Sequence, residues 1–363
     1  MKISFGLLPD HPLPEILDAI EVADQLGFHA VYGADETFHK DCFQIFAAAA
    51  HRTSKIVFAP DVTHVILRDP TMIVQAMATL DELTGGRTEL IYSIGNFAML
   101  EQYHLEDKTR RPLARLREAY HVMRTFLDEG VLEHEGEFYT CTGMFTSARP
   151  VQKRMPIMIG AMRGPKSFEL AGELTDGMHQ ALGYSREAIQ YAADHVRIGA
   201  ERSGRDWRTL DIGAWGVACV ADDRAAAREC VRVLVAFYIP AMPVEQLLRH
   251  GITQQQTQPI HEAFASGDVE LAIELTTPDL VEKLSFSGTP EDVVEQLRAN
   301  VVPTGMNHVI LALCDPHLAE HWSGRKGNYR HVPHMKDQLK LIHERIMPHF
   351  LQEPVPLASK LVE

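Results

Sequence analysis

The sequence predicts a single (β/α)8 TIM barrel with insertions, an α/β fold. Three observations predict it. Eight apolar, β-rich segments alternate with helical ones, which calls for a parallel sheet. The chain has 363 residues, 45% of them hydrophobic, enough for a large core, and at this length a closed barrel is favoured over a doubly wound sheet. No GxGxxG follows an early strand, which weakens the dinucleotide-fold alternative.

The elements follow in order. KISFGLL is the first strand, and LPEILDAIEVADQLG is a helix with apolar residues at helical spacing that stops at Gly27. HAVYGAD is the second strand, followed by the helix CFQIFAAAAHRT. IVFAPDV is the third, and the helix after it opens at Pro70 and closes on glycines. TELIYSIG is the fourth, with a long amphipathic helix from Pro112 to Glu129. The rhythm breaks over residues 131–155, whose short β-like pieces read as an inserted hairpin. It returns with PIMIGA, the helix PKSFELAGEL, GMHQAL, the helix SREAIQYAADHVRIGAERSG, DIGAWGVACVA and a helix from Asp223 to Phe237. Residues 240–286 read as a helical insertion. TPEDVVEQLRANV is a helix with a threonine cap and an acidic first turn. HVILALCD is the eighth strand and HMKDQLKLIHERIMPHF the last helix. All of this forms one domain over residues 1–363.

The formal net charge of −14 argues against nucleic acid and against docking on anionic lipid. No apolar run approaches the roughly 18 residues of a membrane helix, and the N-terminus reads as a strand, not a secretion signal. Five scattered cysteines without CxxC spacing suit reduced thiols in a cytoplasmic protein.

In this fold the chemistry lies just after each strand. The relevant residues are Leu8-Pro9-Asp10, Asp35-Glu36, Asp61-Val62-Thr63-His64, Ser93-Ile94-Gly95-Asn96, Gly160-Ala161-Met162, His179-Gln180 and Cys314-Asp315. Asp35-Glu36 reads either as an acid or base of raised pKa or as a cap beside a solvated glutamate. Gly160, Ala161, Met162, Arg163, Gly164, Pro165 and Lys166 form a small-residue turn into a helix. Its free amides and two cations suit a phosphate, and the alternative is an ordinary strand-to-helix turn. His64, His104 and His179 show no HxH or HExxH, so no metal is expected.

The stretches IVFAPDVTHVILRDPTMIVQAMATLDELTGGRTELIYSIGN and ARPVQKRMPIMIGAMRGPKSFELAGELTDGM resemble the core of the bacterial luciferase-like flavin enzymes. FSGTPEDVVEQL and GMNHVIL are similar to the last barrel unit of that family. Within it, the pattern most resembles the branch that uses the deazaflavin coenzyme F-420. The resemblance implies an aspartate ending the second strand, matched by Asp35, and a non-proline cis peptide after the third, matched by Asp61–Val62. It implies a phosphate loop at Gly160 to Lys166, and a homodimer. The chain departs from the branch at Glu36, where a histidine is usual, and at Asn96, where the dehydrogenases carry an acid.

The reading is therefore hydride transfer between a small organic substrate and a deazaflavin lying across the barrel mouth. Asp35, Asp61, Val62, Thr63, Ser93, Ile94, Gly95 and the 160–166 turn would bind the cofactor. Glu36 would move the proton, with His64 or His179 second and Asn96 hydrogen-bonding the ring or the substrate. The alternatives are an FMN-dependent monooxygenase using molecular oxygen and a non-catalytic flavin-binding subunit.

Overall fold

The computed structural model of the chain describes residues 1–95, 97–162 and 164–351, with Ala98 described by its backbone only. The strands are β1 (Lys2–Leu7), β2 (Ala30–Gly33), β3 (Val57–Pro60), β4 (Thr63–His64), β5 (Leu90–Ser93), β6 (Val131–Glu135), β7 (Thr140–Phe145), β8 (Ile157–Ala161), β9 (Gly177–Ala181), β10 (Asp211–Val220), β11 (Phe286–Gly288) and β12 (His308–Leu313). All but β6 and β7 belong to one parallel sheet, whose order runs β3-β2-β1-β12-β10-β9-β8-β5-β4.

The two ends of that order are adjacent in the chain. β3 and β4 are halves of one barrel strand, broken at Asp61-Val62; β3 pairs with β2 and β4 with β5. Below the break, Phe58 N–H donates to Arg87 O at 2.9 Å and Glu89 N–H to Phe58 O at 3.1 Å. The sheet thus curls into a nearly closed barrel, and the eight predicted strands are its staves.

The helices form where the sequence punctuates them. In Pro70–Thr84 the Asp69 carboxylate accepts from Thr71 N–H, Pro70 fills the first turn, and Gly85 ends the helix at φ 69°. In Leu13–Leu26 the residues Ile16, Ala19, Ile20 and Ala23 recur at helical spacing and are buried. Together these apolar faces and the outer faces of the strands make the main core.

Residues 131–145 form the antiparallel β6–β7 hairpin. The 240–286 segment holds the helices Val244–Arg249, Gln254–Ala265, Val269–Leu275 and Pro278–Lys283, but it ends in a strand that its helical reading omits. β11 pairs in parallel with the last residues of β10. Two helices also escape the sequence pattern, Phe97–Gln102 and Pro316–Ser323, and the last α-helix stops at Arg345. The missed strand and the two missed helices are short, and three or four apolar residues fix no periodicity.

Inside the barrel, alternate residues of each strand face inward. Ala30, Tyr32, Ala59, Ile91, Met158 and Ile310 form a compact apolar layer with Val57, Val62 and Trp215 at its margin. Towards the strands' N-terminal ends the interior turns polar, with Ser4, Glu89, His179, Asp211 and His308.

Candidate active site

One inward step beyond the apolar layer, towards the C-terminal strand ends, the positions are Gly6, Asp61, Ser93, Gly160, Ala181, Trp215 and Ala312. Most are small. Asp61, Val62, Ser93, Gly160, Ala181 and Trp215 are all half-buried, so this layer is an open floor rather than packed core. The floor depends on glycine. A Cβ on Gly160 would stand 2.1 Å from Val62 Cγ1, and one on Gly6 would stand 2.8 Å from the Ala312 backbone.

The break between β3 and β4 rises from this floor. The Asp61–Val62 peptide bond is cis. The Asp61 carboxylate turns down into the barrel and accepts from His179 Nδ1 at 3.0 Å, while Val62 covers Gly160. Thr63 donates to Asp35 Oδ2 at 2.7 Å, and Arg68 donates to the same carboxylate at 3.1 and 3.2 Å. The Arg68 guanidinium also lies 4.6 Å from the centre of the Phe43 ring. Asp35 therefore braces the bulge from outside.

His64 comes next in the chain and is buried. Burial pushes its pKa down to about 4 despite the pull of Asp35, so near neutral pH it is an uncharged hydrogen-bonding group. Its Nδ1 has no partner among the described residues. Gly95, at φ 118°, passes close by the ring and donates its N–H to Ser93 Oγ. Ile94 is buried beside it.

The opposite rim comes from β1, β2 and β10. Trp215 meets Tyr238 edge-on at 5.7 Å. Burial first, then the charge of Glu36, holds the Tyr238 phenol well above its ordinary pKa, so it stays a proton donor. Asp10 accepts from His39 Nδ1 and Trp322 Nε1, both at 2.7 Å. Burial raises its pKa, but those two donors outweigh burial and hold the carboxyl below its usual range.

Thus the structure brings Asp61, Val62, Thr63, His64, Ser93, Ile94, Gly95, Gly160 and Ala161 onto adjoining strands, with Glu36 across the mouth. Two sequence expectations sit elsewhere. His179 is the third residue of β9 and lies beneath the floor, fully buried, rather than at the strand end. Lys166 is solvent-exposed and donates to Glu169 at 3.0 Å. Glu169 also holds Arg202 and His195; burial raises its pKa, and Lys166 and Arg202 override this to bring it to about 2. Lys166 is thereby engaged in a helix-packing seam. Met162 is half-buried, and Gly164 and Pro165 open the Pro165–Leu174 helix as expected. Asn96 and Arg163 lie outside the described residues.

Sequence reasoning missed Trp215, Tyr238, His39 and Trp322. Trp215 was findable, being an aromatic at an inward-facing strand position. Tyr238 ends a helix, and nothing local marks it as a rim residue.

A barrel with an open floor at its C-terminal mouth and a bulge in its third strand defines a class of small-molecule site. The chain belongs to the luciferase-like monooxygenase family, whose model matches residues 2–308. It is 28% identical over 301 residues to the 5,10-methylenetetrahydromethanopterin reductase of Archaeoglobus fulgidus, covering 82% of this chain and 89% of that one. It is also 28% identical to a putative coenzyme F-420-dependent oxidoreductase of Mycobacterium tuberculosis, over 82% of this chain and 90% of that one. The coenzyme F-420-dependent tetrahydromethanopterin reductase of Methanopyrus kandleri superposes with a TM-score of 0.84 at 26% identity. That match covers 96% of this chain and all of the other.

Proposed function

We propose that this protein is an oxidoreductase that transfers a hydride between a small organic substrate and the deazaflavin coenzyme F-420. The observation that carries the reading is the floor itself. Glycine, alanine and serine leave an open, partly exposed surface around Val62, whose side chain fills the space that a Cβ on Gly160 would take. A planar tricyclic ring fits such a surface, and two of the three relatives above are named for this coenzyme.

When bound, the deazaflavin accepts or delivers the hydride; the protein's part is to position, desolvate and handle protons. Val62 and Gly160 would support one face of the ring. Asp35 and Thr63 fix the bulge, and Ser93, Ile94 and Gly95 border it. Neutral His64 offers a hydrogen bond without adding charge. The turn from Gly160 through Pro165 would present backbone amides and a helix N-terminus to the phosphate, whereas Lys166 would first have to leave Glu169. Glu36 is the proton donor or acceptor, with the Tyr238 hydroxyl beside it. Residues 131–155 and 240–286 are insertions in a single domain, and the chain is a homodimer, which sedimentation would test.

Titrating the purified protein in parallel with F-420 and with FMN tests the reading: F-420 binds and FMN binds far more weakly. Binding of neither would overturn it. Glu36→Gln should lower F-420 reduction, over a panel of alcohol and reduced-carbon donors, about 100-fold or more while leaving F-420 affinity near wild type. Unchanged turnover would remove Glu36 from the role.

A further inference from the structure

The polar lower half of the barrel contains three buried carboxylates. The side chains of Asp61, Glu89 and Asp211 are only 5%, 11% and 12% exposed. Among the described residues, Lys2 is the one lysine or arginine that pairs with any of them, at 2.7 Å from Asp211 Oδ2, and its own side chain is 42% exposed. Buried negative charge that is not balanced is costly, so a further positive charge belongs here.

The donor atoms are arranged for a metal. His179 Nε2, an Asp211 carboxylate oxygen and a His308 ring nitrogen all lie within 4.8 Å of one another. Asp211 Oδ1 is 2.9 Å from His308 Nδ1 and 3.9 Å from His179 Nε2. Around a tetrahedral zinc with ligands at about 2.0–2.1 Å, neighbouring donors stand about 3.4 Å apart, between those two distances. His179 Nε2 is buried and has no hydrogen-bond partner, and 3.9 Å is too long for a bond to Asp211.

The outer contacts agree. A ligating histidine normally has its second nitrogen held by a carboxylate or another polar group. His179 Nδ1 donates to Asp61, and His308 Nε2 lies 2.7 Å from Ser4 Oγ. Lys2 occupies the other oxygen of Asp211, while Oδ1 pairs with His308 Nδ1 at 2.9 Å, a hydrogen bond that the ion would replace. His29, 27% exposed, and Glu89 lie next to Asp211 on the side of the barrel's N-terminal opening.

We propose that His179, Asp211 and His308 bind one divalent first-row transition ion, zinc by preference, inside the barrel beneath the Asp61–Val62 bulge. Two imidazoles and one carboxylate select such an ion over magnesium or calcium. The competing source of positive charge is a proton on His179: burial opposes it, but Asp61 and then Asp211 outweigh burial and hold the ring above its ordinary pKa.

The test is to strip the full chain with a chelator and add Co2+. One equivalent should give a visible d–d absorption band that Zn2+ abolishes, and Zn2+ should raise the melting temperature. Asp211→Asn should lose the band. Should that variant fail to fold, Ser4→Ala decides, since it should weaken Co2+ binding about 10–100-fold through His308 alone. No band together with a melting temperature indifferent to Zn2+ would assign the charge to a proton and overturn the proposal. So would a band that survives in folded Asp211→Asn or keeps wild-type affinity in Ser4→Ala. None of these readouts involves a deazaflavin.

Discussion

Gly160 shows how much one missing Cβ controls. On β8 it faces the bulge of the barrel strand beyond β5, and Val62 occupies the space a side chain would take. Val62 is β-branched and stiff about χ1, so Gly160→Ala cannot be absorbed by a side-chain swing. The bulge must move instead. Gly160→Ala should therefore weaken F-420 binding about tenfold or more while the far-ultraviolet circular dichroism stays that of the parent. Equal affinity in the two proteins would show that the Val62–Gly160 contact does not shape the cofactor surface. Single residues of this kind were partly legible. The turn after the fifth predicted strand announces itself by its glycines, but that Gly160 serves Val62 follows only from the pairing of distant segments. Asp35 is similar: a strand-end aspartate is conspicuous, yet its commitment to Thr63 and Arg68 depends on how the chain turns after the third predicted strand.

At the scale of elements, the 240–286 segment is fastened to the barrel by His250. Its Nδ1–H donates to Gln246 O at 2.8 Å, and its Nε2 accepts Tyr184 N–H at 3.2 Å. Burial pushes its pKa down to about 4; the Gln246 carbonyl and Glu187 pull it up less strongly, and Arg249 pushes it further down. The folded state thus prefers the neutral ring. As pH falls below about 6.5 the unfolded chain takes up a proton and the folded site does not, so stability drops until about pH 4 and then levels. Protonation would also set two N–H donors against each other at Tyr184. Melting temperatures between pH 7 and pH 4 should fall less steeply in His250→Gln than in the parent; the same slope in both would exclude this ring as a contributor. His64, also lowered to about 4, contributes in the same direction. The segment's helical character was visible in its composition. Its attachment was not, because a histidine reads alike on a surface and at a buried junction.

Across the whole molecule, the last helix reaches back over strands that precede it. Gln338, on Met335–Arg345, is fully buried; its side chain accepts Val220 N–H at 2.9 Å and donates to Cys314 O at 2.8 Å. It clamps the ends of β10 and β12 together. Gln338→Leu leaves both backbone groups without this partner and should cost about 1–3 kcal/mol, read as a lower urea midpoint with F-420 affinity unaffected. A midpoint equal to wild type would show that water or a neighbour replaces the clamp.

The alternation of apolar segments with capped helices, each set by local periodicity and by turn residues such as Gly27, Asp69 and Gly85, by itself determined that the chain makes an eight-fold barrel. It also pointed to the ends of the third, fourth and fifth predicted strands, because in a parallel barrel those ends converge on one mouth. Only the tertiary structure decided that His179 lies below the floor, that Lys166 is held by Glu169, and that Asp211 and His308, 97 residues apart, meet His179. Strand register and side-chain facing settle such contacts, and both depend on pairings between segments that carry no mark of one another in the sequence.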